Sequence, residues 1–178
     1  QVYADIGALE RLSDPPPPGG YRYVQPLHAI LRPDKKPRIC VDFSRSFNEF
    51  VEDFPFRYQS VHDAVDLAQE CPTDAFFYKL DISSCFLSFP VHPDDLELFV
   101  VQAGGDYYRF LSLAFGHKSA PYIVSLLLDV VSSALLDAGI EHSRYLDDFL
   151  VVASSAARAA ASAHAAAAII ADFGLSLA

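Results

Sequence analysis

Ser143-Arg144-Tyr145-Leu146-Asp147-Asp148-Phe149-Leu150-Val151-Val152 is the stretch that decides the fold of this chain. Apolar and β-branched residues flank a two-residue acidic step, which predicts a tight β-hairpin with Asp147 and Asp148 at its tip. No glycine or asparagine eases that tip. Two carboxylates about 4 Å apart repel by roughly 1 kcal/mol in water and by several times that near a protein surface. A divalent cation is the simplest compensation; an ordinary polar turn is the alternative.

A third acid in a matching setting favours the cation. Asp81 ends the run Phe76-Phe77-Tyr78-Lys79-Leu80-Asp81-Ile82, which reads as a buried central strand. A buried strand carries a charge when that charge is paired or binds metal; an N-cap for the following turn is the other reading. With that strand beside the hairpin, three carboxylates converge. Mg²⁺ suits such a place, because it takes few protein carboxylates and completes its octahedron with water and phosphate oxygens. Two such ions about 3.5–4 Å apart support in-line phosphoryl transfer.

Working outward, Lys79-Leu80-Asp81-Ile82-Ser83-Ser84-Cys85-Phe86 resembles the first catalytic strand of the reverse transcriptases of retroelements, and Tyr145-Leu146-Asp147-Asp148 resembles their tyrosine-x-aspartate-aspartate box. Leu113-Ala114-Phe115-Gly116-His117-Lys118-Ser119-Ala120-Pro121 resembles the Gly-x-Lys motif between them, and Arg38-Ile39-Cys40-Val41-Asp42-Phe43 with Asn48 resembles the fingers motif. The motifs stand in the family's order over roughly residues 23–177, with wording nearest to long-terminal-repeat and DIRS-type elements. Two positions depart from the family pattern: Ala114 where a proline is common, and His117 where a larger hydrophobic residue or tryptophan is common.

The resemblance implies an α+β fold, the reverse-transcriptase palm: a split β-α-β antiparallel sheet with helices on one face, joined to partial fingers. Residues 1–20 would be an N-terminal extension with a proline-rich linker, fingers about 21–57 and 91–112, palm about 58–90 and 113–178, with thumb and ribonuclease H outside the sequence as parts of a larger polyprotein. The implied activity is RNA-directed DNA polymerisation on an RNA or DNA template-primer with deoxynucleotides, a nucleotidyl transfer for which these residues alone are expected to be inactive or poorly processive. Asp81, Asp147 and Asp148 would be catalytic and, with the Ile82 carbonyl, would hold two Mg²⁺ ions, Mn²⁺ substituting. Arg32, Arg38, Ser84, Cys85, Phe86, Phe115 and Gly116 would bind the nucleotide, Phe86 as steric gate; Lys118 and Tyr145 would meet template and primer. For Arg32, Arg38 and Lys118 a solvated surface role is the alternative, and for Phe86 and Tyr145 a place in the core. Two rival functions remain: a silent palm-fold remnant that binds nucleic acid weakly, and a palm-fold nucleotidyl cyclase, which leaves Arg38, Gly116 and Lys118 unexplained.

Composition bounds the rest. The chain has 178 residues, 52% hydrophobic and 20% charged, which is globular rather than disordered. No uninterrupted apolar run of about 20 residues marks a membrane span, and Gln1 to Glu10 is no signal peptide. Three cysteines without Cys-x-x-Cys spacing read as reduced thiols of an intracellular protein, in cytoplasm or nucleus, and six scattered histidines exclude a zinc-hydrolase pattern. The net charge of −10 opposes phosphate binding, yet residues 1–57 hold 8 basic and 8 acidic side chains, and residues 58–178 hold 5 and 15. The presumed fingers are therefore the basic part. Asp63, Asp66, Asp94, Asp95 and Glu97 read as solvated surface.

Periodicity predicts strands at Tyr23–Leu31, Pro37–Phe43, Leu98–Gln102 and Tyr107–Leu111, and helices at Ser60–Gln69, Ser119–Asp137 and about Ser155–Phe173, with a short helix possible in residues 1–13. The alanine-dense last helix is read as packing lightly.

Overall fold

The computed structural model describes residues 7–12, 16–33, 35–71 and 74–178, with the side chains of residues 32 and 35–38 left outside the description. The chain forms two compact units, Gln1–Phe54 with Phe86–Ala120, and Pro55–Cys85 with Pro121–Ala178. Residues 86–90 and 113–120, which the sequence reading grouped with the palm, fall in the first unit.

In the first unit, β1 (Leu9–Arg11) pairs with β6 (Asp106–Phe110), which pairs with β5 (Val100–Ala103), all antiparallel. The β5–β6 turn is Gly104-Gly105, both at positive φ (62° and 91°), as a two-residue hairpin of matching twist demands. β2 (Leu27–Arg32) and β3 (Lys35–Val41) make a separate hairpin, followed by the single turn α1 (Phe47–Phe50). Ala8, Val41, Phe43, Leu87, Phe99, Val101, Phe110 and Ala114 form the core. A short helix expected in residues 1–13 is instead strand β1 within the described part; residues 1–6 and 13–15 lie outside the described residues.

The second unit is built on the sheet β4 (Phe76–Asp81), β8 (Asp148–Ala153) and β7 (His142–Tyr145), in that order. β8 is therefore the central strand, not the one ending at Asp81. β4 is an edge, and Phe76, Phe77 and Tyr78 are each more than a third exposed, so the apolar run does not make a buried strand. Only Leu80 in β4 is buried.

Pairing parity assigns the faces. Leu80, Phe149, Val151, His142 and Arg144 share one face; Phe77, Lys79, Asp81, Asp148, Leu150 and Tyr145 share the other. Helix α3 (Ala120–Asp137) packs on the first face with Val124, Leu128, Val131 and Leu135 buried, and Arg144 bonds to it. By length and composition alone α3 could cross a membrane; Val124, Leu128, Val131 and Leu135 are buried, while Leu126, Leu127, Val130 and Leu136 are exposed. Helix α4 (Ala156–Asp172) buries Ala159, Ala163, Ala166 and Ile170, a continuous stripe, so its packing is closer than the light packing expected of it. Helix α2 (Val61–Gln69) lines a groove with Phe77 and Leu150 on the other face. Asp63, read from sequence as plain surface, caps α2: the Ser60 backbone N–H donates to its Oδ2 at 2.5 Å and the Ser60 hydroxyl at 2.7 Å.

Candidate active site

The second unit brings the three aspartates to one end of its sheet. Asp81 closes β4 and stands directly opposite Asp148, the first residue of β8. The Ile82 N–H donates to the Asp147 carbonyl at 3.2 Å, which ties the segment after β4 to the hairpin turn. The turn itself is Leu146-Asp147, so only Asp147 sits at the tip; Asp148 has entered β8 and pairs with Tyr145. Leu146 takes φ +53°, a left-handed conformation that costs a branched apolar residue about 1–2 kcal/mol. Ser84 is the other non-glycine residue at positive φ among the described residues, at +50°.

Charge repulsion is evident in the cluster. Partial desolvation, then the like charges of Asp148 and Asp147, raise the Asp81 carboxyl above its ordinary value. Lys79, on the same face, places Nζ 2.9 Å from Asp148 Oδ2, and that contact raises the Lys79 ammonium in turn. Burial, then Asp147, pushes the Cys85 thiol up to about 12, so Cys85 is a packing residue and not a nucleophile.

The expected convergence is thus met at the level of strand ends but not of ligand geometry. Among the described residues no three His, Cys, Asp or Glu side chains are gathered closely enough to hold a metal ion. The Lys79 ammonium already offsets Asp148. The donors themselves are hard carboxylate oxygens of the type Mg²⁺ and Mn²⁺ take, and the mutual repulsion at Asp81 is what such an ion would relieve. Ile82 is buried, and the residues beside it are tied to the C-terminal segment, with the Ser83 N–H donating to Ser176 O at 2.7 Å and the Ala178 N–H to Asp81 O at 2.9 Å.

Tyr145 is exposed and lies against Tyr58 with ring centroids 5.3 Å apart; Tyr58 in turn meets Phe56 edge-on at 4.7 Å, and Phe56 meets Tyr122 at 5.7 Å. No spacing in the sequence announced this row of rings. Arg144 was also missed. Its one sequence signal is parity: it alternates with Tyr145 and so points to the face of Phe149, where a cation needs a partner.

The first unit holds the other residues singled out. Phe86 is buried, with its ring 5.1 Å from that of Phe115. Gly116 has φ +101°, and a Cβ there would lie 2.2 Å from the Val41 carbonyl oxygen, so only glycine fits. Asn48 spans the same turn: its Nδ2 donates to Gly116 O at 2.8 Å and its Oδ1 accepts from the Lys118 N–H at 2.9 Å. The Lys118 ammonium lies 2.7 Å from Asp53 and donates to Val51 O at 3.2 Å, so here it serves this unit's own loop. Arg32 and Arg38 fall in the β2–β3 hairpin, with their side chains outside the description.

Comparison with known proteins agrees with this architecture. Among curated proteins none matches the chain. Solved structures do. The foamy viral protease–reverse transcriptase in complex with double-stranded DNA aligns with TM-score 0.77 and 17% identity over 99% of this chain and 28% of that one. The native prototype foamy virus protease–reverse transcriptase aligns with TM-score 0.76 and 19% identity over 98% and 22%. The chain thus spans about a quarter of the length of these neighbours, and at such identities they show the fold: an α+β reverse-transcriptase fingers and palm. The model of the reverse transcriptase (RNA-dependent DNA polymerase) family matches residues 24–178, the stretch that carries the acid cluster, Gly116 and both units, and the chain belongs to that family.

Proposed function

We propose that this chain carries the polymerising chemistry of an RNA-directed DNA polymerase, adding deoxynucleotides to a primer 3′-hydroxyl under direction of an RNA or DNA template. The observation that carries the proposal is the pairing of Asp81 with Asp148 on adjacent strands, with Asp147 tied to Ile82 between them. The first unit takes the part of fingers and the second that of palm. A retroelement origin rests on the motif wording.

Asp81, Asp147 and Asp148 would hold divalent cations, Mg²⁺ or Mn²⁺. When bound, such ions lower the pKa of the attacking hydroxyl and neutralise charge on the leaving phosphates. The chain's own residues do the rest. The β4–β8 pairing sets the spacing of the acids, the Leu146-Asp147 turn aims Asp147, and Tyr145, exposed on the same face, offers a ring to a base at the primer end. In the first unit, Gly116 lets its turn close on the Val41 carbonyl beside Phe115, and Phe86 closes space beneath a sugar. The foamy viral neighbour solved with double-stranded DNA supports a template-primer partner.

Single-nucleotide addition to a labelled primer-template, with Mg²⁺ or Mn²⁺, is the test. Cation-dependent extension that disappears in Asp147→Asn is the expected result; extension that survives Asp147→Asn removes the acid cluster from the chemistry. A silent palm-fold protein is the second reading, favoured by the Lys79–Asp148 pair, and it requires that no divalent cation compete for Asp148.

A further inference from the structure

Arg144 precedes the Tyr145-Leu146-Asp147-Asp148 box and is buried, at 8% exposure. All three of its guanidinium nitrogens donate hydrogen bonds. Nη1 donates to the Leu146 carbonyl at 3.0 Å, Nε to the Ser132 hydroxyl at 3.2 Å, and Nη2 to the Ser125 carbonyl and hydroxyl, each at 3.3 Å. Nη2 also pairs with Asp129, and the Arg144 backbone N–H donates to Gln59 Oε1. Ser125, Asp129 and Ser132 lie at positions i, i+4 and i+7 of α3, one face of that helix. A rigid planar fork thus joins the helix to the carbonyl of a turn residue held in a left-handed conformation.

That conformation is one a leucine adopts only under constraint, and two-residue hairpin turns ordinarily place glycine there. The Leu146 carbonyl belongs to the peptide that leads into Asp147, so what holds it orients Asp147. We propose that Arg144 is a positioning residue: anchored by Ser125, Asp129 and Ser132 of α3, it holds the Leu146-Asp147 turn so that the Asp147 carboxylate is aimed for a divalent cation. This rests on the reading of Asp81, Asp147 and Asp148 as the cation site. Lysine cannot replace the fork, because one ammonium does not span the turn carbonyl and the helix together.

Two variants test it. Arg144→Lys removes the fork; the double variant Asp129→Asn with Ser132→Ala strips its anchors while leaving Arg144 in place, and guards against a failure of Arg144→Lys to fold. The first readout needs no cation. Hydrogen exchange at the turn, read at the Ile82 amide that donates to the Asp147 carbonyl, is expected to quicken about ten-fold or more in both variants while the centre of β8 exchanges as before. The second is Mn²⁺ titration followed by electron paramagnetic resonance, at equal folded fraction by circular dichroism. A loss of about 10–100-fold in affinity is expected, the range for residues that orient metal ligands. Unchanged exchange at the turn overturns the proposal. So does Mn²⁺ binding that is abolished by Asp147→Asn yet untouched by both variants, a result that leaves the cation-site reading intact. A turn loosened in both variants, in a chain whose wild type takes up no Mn²⁺, overturns the cation-site reading instead.

Discussion

Lys79 Nζ and Asp148 Oδ2 meet at 2.9 Å across neighbouring strands, on the face that also carries Asp81 and Tyr145. The pair places a cation of the chain's own beside an acid proposed to hold a metal. Lys79→Met is therefore expected to raise Mn²⁺ affinity by about two- to five-fold, the scale of an exposed ion pair no longer competing. Calorimetric titration of both proteins checks this. Weaker binding in Lys79→Met would assign the lysine a supporting role instead.

Gly116 meets the Val41 carbonyl so closely that a methyl group has no room, and its φ of +101° disfavours any side chain. Gly116→Ala is expected to destabilise by about 2–5 kcal/mol, strain and overlap together. Gly105, also at positive φ but with open space around its Cβ position, isolates the strain: Gly105→Ala should cost only about 1–2 kcal/mol. Urea denaturation of the three proteins separates the contributions.

His117 is packed among Phe43, Phe47 and Phe99, with ring centroids 5.7, 4.7 and 5.5 Å away, and neither ring nitrogen has a hydrogen-bond partner. Burial pushes its pKa down from 6.5 to about 4. The folded state keeps the ring neutral where the unfolded chain would protonate it. This contribution is intact above pH 6.5, declines as pH falls from 6.5 towards about 4, and declines no further below that. The full window is worth on the order of 3 kcal/mol. His117→Phe should lose this part of the acid sensitivity, seen as a smaller fall in urea midpoint between pH 7 and pH 4.5 than in the wild type.

The Phe86 and Phe115 rings lie 5.1 Å apart, tilted by 41°, with Phe86 buried. If this ring closes the space beneath the nucleotide sugar, Phe86→Val should admit ribonucleotides, relaxing the deoxy-over-ribo preference by roughly 10–200-fold, the reach of a packing contact. Incorporation assays with paired dNTP and rNTP check it; an unchanged ratio assigns Phe86 to the core alone.

The hairpin and its acids were legible in sequence because β-forming residues bracket them closely. Which two residues form the loop was not. Pairing Asp148 with Tyr145 and with Asp81 at once moves the turn to Leu146-Asp147, and that register depends on a strand more than sixty residues away. The same limit hid the edge position of β4: an apolar run looks alike in a central strand and in an edge strand with an open face. Arg144 was invisible for a related reason. Its partners on α3 are serines and one aspartate that mean nothing until the helix is laid on the sheet. Gly116 and Asn48 were picked out by resemblance alone; their cause, the Val41 carbonyl and the Lys118 amide, needed the folded chain.

The alanine tract of α4 looks like relaxed, repetitive sequence, yet it is a map of what mutation can reach. Ala156, Ala157, Ala161, Ala165 and Ala168 face solvent and can drift to almost any helix-compatible residue. Ala159 and Ala166 are almost fully enclosed, and a larger side chain at either would wedge the helix away from β4, the strand that carries Asp81. Two genes could therefore differ at most of the tract and still share one active-site geometry, while a single enlargement at Ala166 would alter it through β4.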